Sequence, residues 1–137
     1  MTVADCVPVL MAHPSGAVAA VHAGWRGTAA GILGAALTAM GDVGCDMRDV
    51  HIHLGPAICG RCYEVSPDVY GQLTGRAVDR PTPVDLRLLL ADQALQAGVP
   101  SSGITTNVSC TRCDNDRFFS HRAGDAGRQV GAIIADA

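Results

Sequence analysis

Cys6 lies in the first, and His22 at the end of the second, of two short apolar segments that the sequence predicts to form a β-hairpin. The segments cover residues 3–11 and 17–22, with a Pro-Ser-Gly turn signal between them. A turn centred at residue 14 places Cys6 directly across from His22, and opposed Cβ atoms lie about 5 Å apart. That separation suits two ligands of one metal ion, or a thiol beside its general base. On spacing alone, two side chains packed only for shape remain the slightly better explanation.

A glycine-rich turn leads from the second strand into a helix predicted over residues 28–40. Gly24 and Gly27 allow the backbone to approach a ligand closely. The N–H groups at the start of the helix and the Arg26 guanidinium can bind an anion, and Trp25 can stack on a planar base. The turn matches no dinucleotide-binding or Walker pattern, so it does not identify a nucleotide. An ordinary tight turn with an exposed arginine is the alternative.

Two Cys-x-x-Cys pairs suggest a zinc site with four thiolate ligands: Cys59 with Cys62, and Cys110 with Cys113. The two pairs are 47 residues apart, a longer separation than a compact zinc ribbon uses. Such a site would be structural and closed. Four small buried residues without a metal are the commoner explanation.

Arginine is also concentrated in a polar segment over residues 109–127, which contains Arg112, Arg117 and Arg122 among aspartates. Such a segment usually forms a solvated ion-pair loop. Phosphate or ribose binding is the functional alternative. The remaining histidines suit surface or strand-edge positions better than a metal site, although one of them would complete a three-ligand site: His13, His51 and His53.

The elements that must position these residues are strands and helices around one core, which indicates an α/β fold. Thr28 and Gly41 are the predicted caps of the first helix. The other predicted elements are a half-buried strand over 50–54, a short helix capped by Ser66, a helix over 84–97, a strand over 104–108 and a closing strand over 130–135, for which a helix is the alternative.

Length and composition exclude several classes of protein. A chain of 137 residues with 48% hydrophobic residues suits one folded domain. Lysine is absent, which excludes a Schiff-base mechanism and a Walker lysine. The net charge of −3 gives no reason to expect nucleic acid or an anionic membrane as a partner. We see no membrane span and no signal peptide, so the six cysteines are expected to be reduced thiols in the cytoplasm.

Taken together, several segments resemble the YfiH-like family, whose members are described as laccase-domain proteins, multicopper polyphenol oxidases or purine nucleoside phosphorylases. The segments occur in the order of the family and span nearly the whole chain. They are Ala4-Asp5-Cys6-Val7-Pro8-Val9, His22-Ala23-Gly24-Trp25-Arg26-Gly27-Thr28, Leu54-Gly55-Pro56-Ala57-Ile58, Cys62-Tyr63-Glu64-Val65, Asp85-Leu86-Arg87, Cys110-Thr111 and Arg117-Phe118-Phe119-Ser120-His121-Arg122.

The resemblance implies a layered α/β/β/α sandwich and a zinc site, earlier described as a copper site, of two histidines and one cysteine. Cys6 and His22 match two of those ligands, and the family's third ligand is a histidine upstream of the first matching strand. Residue 3 is Val where the family usually has Thr. We therefore expect residues 1–137 to be a single truncated domain, the C-terminal portion of a longer protein.

The activity implied by the resemblance is zinc-dependent phosphorolysis of adenosine, inosine and S-methyl-5'-thioadenosine, with adenosine deamination as a further activity. The partners are then a purine nucleoside and phosphate. Several coppers, as an oxidase needs, would require more histidines than the chain has. The resemblance assigns catalytic roles to Cys6, His22, Asp5 and Arg26, with Asp5 supporting a ligand or carrying a proton, and substrate-binding roles to Trp25, Gly24 and Gly27.

Two other functions stay open. The same fold resembles cysteine-dependent deamidating toxins, so Cys6 and His22 would also serve a metal-independent hydrolase as nucleophile and base. Alternatively, the chain is an inactive remnant or a binding module, because a core strand at its start leaves an apolar edge that favours homo-oligomers or other association.

Overall fold

The computed structural model describes residues 1–136. Within them no helix combines the length and the apolar character that a bilayer crossing requires. Eight strands and four α-helices follow one another in the order β1 Thr2–Val3, β2 Val7–Ala12, β3 Val18–Ala23, α1 Trp25–Ala29, α2 Ile32–Asp42, β4 His51–Leu54, β5 Glu64–Val65, α3 Pro67–Thr74, β6 Thr82–Pro83, α4 Leu86–Gln96, β7 Ile104–Thr106 and β8 Gln129–Val130. Short 3-10 helices cover Met47–Asp49 and Ser101–Gly103.

The main sheet has four strands in the order β3-β2-β4-β7. β2 pairs antiparallel with both β3 and β4, whereas β4 and β7 run parallel. A parallel pair needs a long crossover, and the chain between these strands contains α3 and α4. β4 alternates as predicted, with Ile52 and Leu54 buried and His51 and His53 exposed. The period of two therefore separates a core face from an outward face.

The helices α1, α2 and α4 pack against one face of this sheet and enclose the core. Aliphatic side chains dominate that core, as the scarcity of aromatic residues requires; they include Val9, Met11, Leu33, Leu37, Leu54 and Leu90. Two small ribbons, β1 with β8 and β5 with β6, flank the main sheet. The described residues thus form one helix layer and one sheet layer, which confirms the α/β prediction.

Both later helices begin at capping residues, of which only Ser66 was predicted. The Ser66 hydroxyl accepts a hydrogen bond from the Val69 N–H at 3.3 Å, and Pro67 occupies the first turn of α3. Asp85 caps α4 in the same way, since its carboxylate accepts the Arg87 N–H at 3.0 Å. Gly98 adopts a positive φ just after α4, where the prediction ended that helix.

Several predicted elements were wrong in their bounds. The strand predicted over 3–11 is divided into β1 and β2, because Asp5 adopts φ +82° and turns the chain between them. The strand predicted over 104–108 ends at Thr106. The helix predicted over 28–40 is two helices, because Gly31 adopts φ +75° and interrupts the chain between α1 and α2. Thr28 is consequently buried inside α1 rather than capping it, and Gly41 lies within α2. The closing strand predicted over 130–135 is limited to Gln129–Val130, because β1 offers only two residues for pairing.

Candidate functional site

The register of the β2–β3 hairpin differs from the predicted one. Val7 pairs with Ala23, and His22 pairs with Pro8. The turn is therefore centred one residue later than predicted, with Gly16 at φ +90° closing it. The direct pairing predicted between Cys6 and His22 was wrong, because a shift of one residue at the turn moves each opposed partner by two.

Cys6 lies just before the paired part of β2, and its sulfur lies against Gly24. A Cβ atom added at Gly24 would be 2.9 Å from the Cys6 Sγ, so only glycine leaves room for this sulfur. A Cβ at Gly27 would lie 3.3 Å from the Ile32 side chain. Close packing within the chain therefore explains why glycine occupies both positions. The substrate-binding role of Gly24 and Gly27 stays a prediction.

Asp5 is buried and is held by two parts of the chain more than 100 residues further on. Its Oδ1 accepts the Thr111 hydroxyl at 2.7 Å, and its Oδ2 accepts the Arg122 backbone N–H at 2.8 Å. Its backbone has φ +82°, the only positive φ of a non-glycine residue within residues 1–136. A left-handed residue is costly unless its surroundings enforce it. Asp5 therefore fixes the path of the backbone into Cys6, and its role as a proton carrier stays a prediction.

The surroundings of Cys6 favour a neutral thiol. Burial raises the pKa of Cys6, and the Asp5 carboxylate raises it further, while Arg128 opposes them. An unassisted cysteine nucleophile needs the opposite shift, because its thiolate is the reactive form. The metal-independent hydrolase would therefore depend on His22 as the base that ionises this thiol, and it stays an alternative.

His22 is exposed on β3, an edge strand of the main sheet. His51 and His53 point to solvent from β4, which β2 separates from β3, and the ring of His53 hydrogen-bonds the Thr105 hydroxyl at 2.8 Å. The expectation that His13, His51 or His53 completes a site with Cys6 and His22 is not met within residues 1–136, since the only cluster of three or more donor residues there lies elsewhere. Cys6 and His22 therefore offer two donors, a thiol and an imidazole.

Trp25 and Arg26 form a pair at the start of α1. The Arg26 guanidinium lies 4.5 Å from the centre of the Trp25 ring, a cation–π distance. The ring is half-buried against the core, so a purine that stacks on the ring face now covered by Arg26 would have to displace that arginine. α1 is only five residues long, and this weakens the predicted anion site at its N-terminus, since few peptide dipoles align there.

Arg122, in the predicted arginine loop, contacts this region in two ways. Its backbone N–H binds the Asp5 carboxylate, and its guanidinium reaches Tyr63 and Glu64. Its guanidinium lies 4.9 Å from the Tyr63 ring centre and donates to the Glu64 carbonyl at 3.2 Å. Thr111 and Tyr63 were missed as site residues. The signal available was their position inside segments that carry the family resemblance.

The two Cys-x-x-Cys pairs come together, as the tetrathiolate hypothesis requires. All four Sγ atoms, those of Cys59, Cys62, Cys110 and Cys113, lie within 4.8 Å of one another. Burial opposes ionisation of Cys59, but hydrogen bonds with Cys110 and with the N–H groups of Cys62 and Arg61 outweigh it and lower the pKa to about 7. Hydrogen bonding with Cys62 and Cys110 raises the pKa of Cys113 to about 12. One sulfur is thus poised to ionise beside partners that donate to it.

Comparisons with known proteins cover nearly the whole chain. The family model described as multi-copper polyphenol oxidoreductase laccase matches residues 1–136. Purine nucleoside phosphorylase SCO2081 of Streptomyces coelicolor is 36% identical over 139 residues, which cover 97% of this chain and 57% of that protein. Adenosine deaminase RL5, from an unknown prokaryotic organism, is 36% identical over 131 residues, or 87% of this chain and 50% of that protein.

A solved structure gives the same result. The crystal structure of YlmD from Geobacillus stearothermophilus superposes with a TM-score of 0.86 at 36% identity, over 93% of this chain and 53% of that one. The chain spans about half the length of the curated relatives it matches.

Proposed function

Because the chain belongs to the multi-copper polyphenol oxidoreductase laccase family, as its YfiH-like resemblance predicted, we propose that it serves purine nucleoside chemistry. The proposed reaction is phosphorolysis of adenosine, inosine or S-methyl-5'-thioadenosine, with adenosine deamination as a second activity. The observation that carries the proposal is 36% identity, over 97% of this chain, to a protein named purine nucleoside phosphorylase. The name of adenosine deaminase RL5 supports the second activity.

Cys6 and His22 are the residues that would hold a catalytic metal, zinc in this proposal. Sulfur and imidazole nitrogen are ordinary zinc donors, and Gly24 leaves the Cys6 sulfur free of a neighbouring side chain. Zinc supplies Lewis-acid chemistry, polarising a substrate oxygen or lowering the pKa of water. Catalytic zinc sites commonly use three protein ligands, so this pair needs one more.

The other residues act on the substrate and on the position of Cys6. Arg26, exposed beside the proposed site, would bind phosphate through its fixed charge. Trp25 would stack on the purine base, and Gly24 and Gly27 keep the turn narrow. Asp5, with both carboxylate oxygens already hydrogen-bonded, would hold the backbone before Cys6 rather than contact the substrate.

The proposal is tested by incubating the reduced, zinc-supplemented chain with each nucleoside, with and without phosphate. Chromatography then measures the free base, or inosine formed from adenosine. We expect phosphate-dependent base release that His22→Gln abolishes. His51→Gln is the matched control, because His51 is also an exposed histidine on a strand of the main sheet, and it should keep the rate. Absence of turnover, or full activity of His22→Gln, would count against the proposal and favour a binding module.

We further propose that residues 1–137 act as one domain in the reducing cytoplasm. No disulfide joins any of the six cysteines, all of which lie within residues 1–136. Homo-oligomerisation stays a prediction, and light scattering of the purified chain measures it.

A further inference from the structure

The spacing of the four clustered sulfurs is that of ligands around one ion. The Sγ atoms of Cys62 and Cys113 are 3.5 Å apart, and those of Cys59 and Cys113 are 4.0 Å apart. A tetrahedral zinc with bonds of about 2.3 Å to sulfur places its ligands roughly 3.8 Å apart. A disulfide, at about 2.05 Å, is far shorter. A four-iron cluster needs wider spacing, because each cysteine then binds a different iron.

Backbone hydrogen bonds to sulfur give a second, independent indication. The Cys59 N–H donates to the Cys110 Sγ at 3.2 Å, and the Cys113 N–H donates to the same sulfur at 3.4 Å. Donors from both loops therefore converge on one sulfur atom. An ionised sulfur is the better acceptor, and such outer hydrogen bonds orient metal-bound ligands.

The charges around the cluster are also suitable. One zinc ion with four thiolates has a net charge of −2. Each Cys-x-x-Cys pair contains an exposed arginine just before its second cysteine, Arg61 in the first pair and Arg112 in the second. Both arginines are adjacent in sequence to a cysteine of the cluster, and their two positive charges equal in number the −2 of the zinc–tetrathiolate unit.

From this geometry we propose that Cys59, Cys62, Cys110 and Cys113 bind one structural zinc ion. The site is closed, since all four ligands come from the protein, and it goes beyond the proposed nucleoside activity, which does not use these residues. The ion joins two loops that are also linked by the β-bridge between Ala57 and Cys110 and by the hydrogen bond from the Cys59 N–H to the Cys110 sulfur.

The consequence of zinc binding reaches the candidate active site. The Ile58 N–H of the first loop donates to the Asp5 carbonyl at 3.0 Å, and Thr111 of the second loop donates to the Asp5 carboxylate. Both contacts come from residues next to or between the zinc ligands. The ion therefore fixes the loops that hold Asp5, one residue before Cys6.

Metal content and cobalt spectroscopy of the full chain, purified under reducing conditions, test this site. We expect one equivalent of zinc per chain to remain bound at this cluster in Cys6→Ala and Cys45→Ala. The same equivalent should be lost in Cys62→Ser and in Cys113→Ser. Cys45 is a suitable control because it is buried outside the cluster. Cobalt in place of zinc should give intense sulfur-to-cobalt charge-transfer bands and the visible bands of a tetrahedral site. Chelation should lower the thermal midpoint of Cys6→Ala and leave that of the double variant Cys6→Ala/Cys62→Ser unchanged.

The cobalt spectrum of Cys6→Ala, which lacks the thiolate of the proposed catalytic site, keeps the test valid if the serine variants do not fold. Bands of a site with fewer than four sulfurs, iron in place of zinc, or disulfides among these cysteines in the reduced preparation would overturn the proposal. Unchanged zinc content in Cys62→Ser and Cys113→Ser would do so as well. Metal content and spectra are measured without nucleoside, so failure here is distinct from failure of the proposed enzymatic activity.

Discussion

The Asp5 carboxylate accepts the Thr111 hydroxyl at 2.7 Å, and both side chains are buried although 106 positions separate them in the chain. This hydrogen bond ties the segment before Cys6 to the loop that carries Cys110 and Cys113. It also accounts for the left-handed backbone of Asp5, which a residue with a side chain adopts only when its contacts compensate the cost.

Removing the Thr111 hydroxyl should destabilise the fold and impair the site. Thr111→Val keeps the shape of the side chain but leaves a buried carboxylate oxygen without its donor, at a cost of about 1–3 kcal/mol. Urea unfolding measures this loss. Thr38→Val is the control, because Thr38 is exposed on α2, and its effect should stay within about 0.5 kcal/mol. Equal stability of the two variants would show that the Asp5 contact contributes little.

Gly24→Ala should displace the Cys6 sulfur. Gly24 has φ −85°, which alanine adopts freely, so the cost comes from the 2.9 Å contact with Sγ and should be about 1–3 kcal/mol. Adding Cys6→Ala removes the clash, so the double variant should recover much of the loss in a double-mutant cycle. Gly34→Ala, where a Cβ meets nothing within 4 Å in helix α2, should instead stabilise by about 0.5–1 kcal/mol. Additive effects of the first two substitutions would contradict the predicted contact.

Acid should loosen the loop that presents Arg122 to Asp5. Asp125 accepts the Ser120 N–H at 2.8 Å and the Asn115 amide at 2.6 Å, and these bonds lower the pKa of its carboxyl below the ordinary 3.8. A depressed carboxyl contributes stability that is fully present above 3.8 and is lost as pH falls through the lower folded value. Amide exchange of residues 120–125, followed by NMR at neutral and acidic pH, should show this loss. In Asp125→Asn, the pH dependence of exchange at these residues should be reduced; a wild-type response in that variant would exclude Asp125 as its cause.

Local signals in the sequence were enough for several elements and for the family. Ser66 was predicted to begin its helix and does so through a contact three residues away, and the alternation of polar and apolar residues in β4 correctly predicted which of its side chains are buried. Such features depend on side chains that are close in sequence, or on a motif long enough to be specific, so no long-range information is needed. The repeated spacing of the two cysteine pairs suggested a shared site only as the less common explanation, and the folded chain brought the four sulfurs together.

The tertiary structure alone decided how the candidate site is arranged. The hairpin register depends on the turn, whose centre lies one residue later than predicted. Gly31 adopts a positive φ and so divides a continuous helical pattern into two helices. The buried contact between Asp5 and Thr111 joins residues that no local pattern connects. Composition and spacing specify which groups are present, but their distances result from packing the helix layer on the sheet and from loops that meet only after the chain has folded.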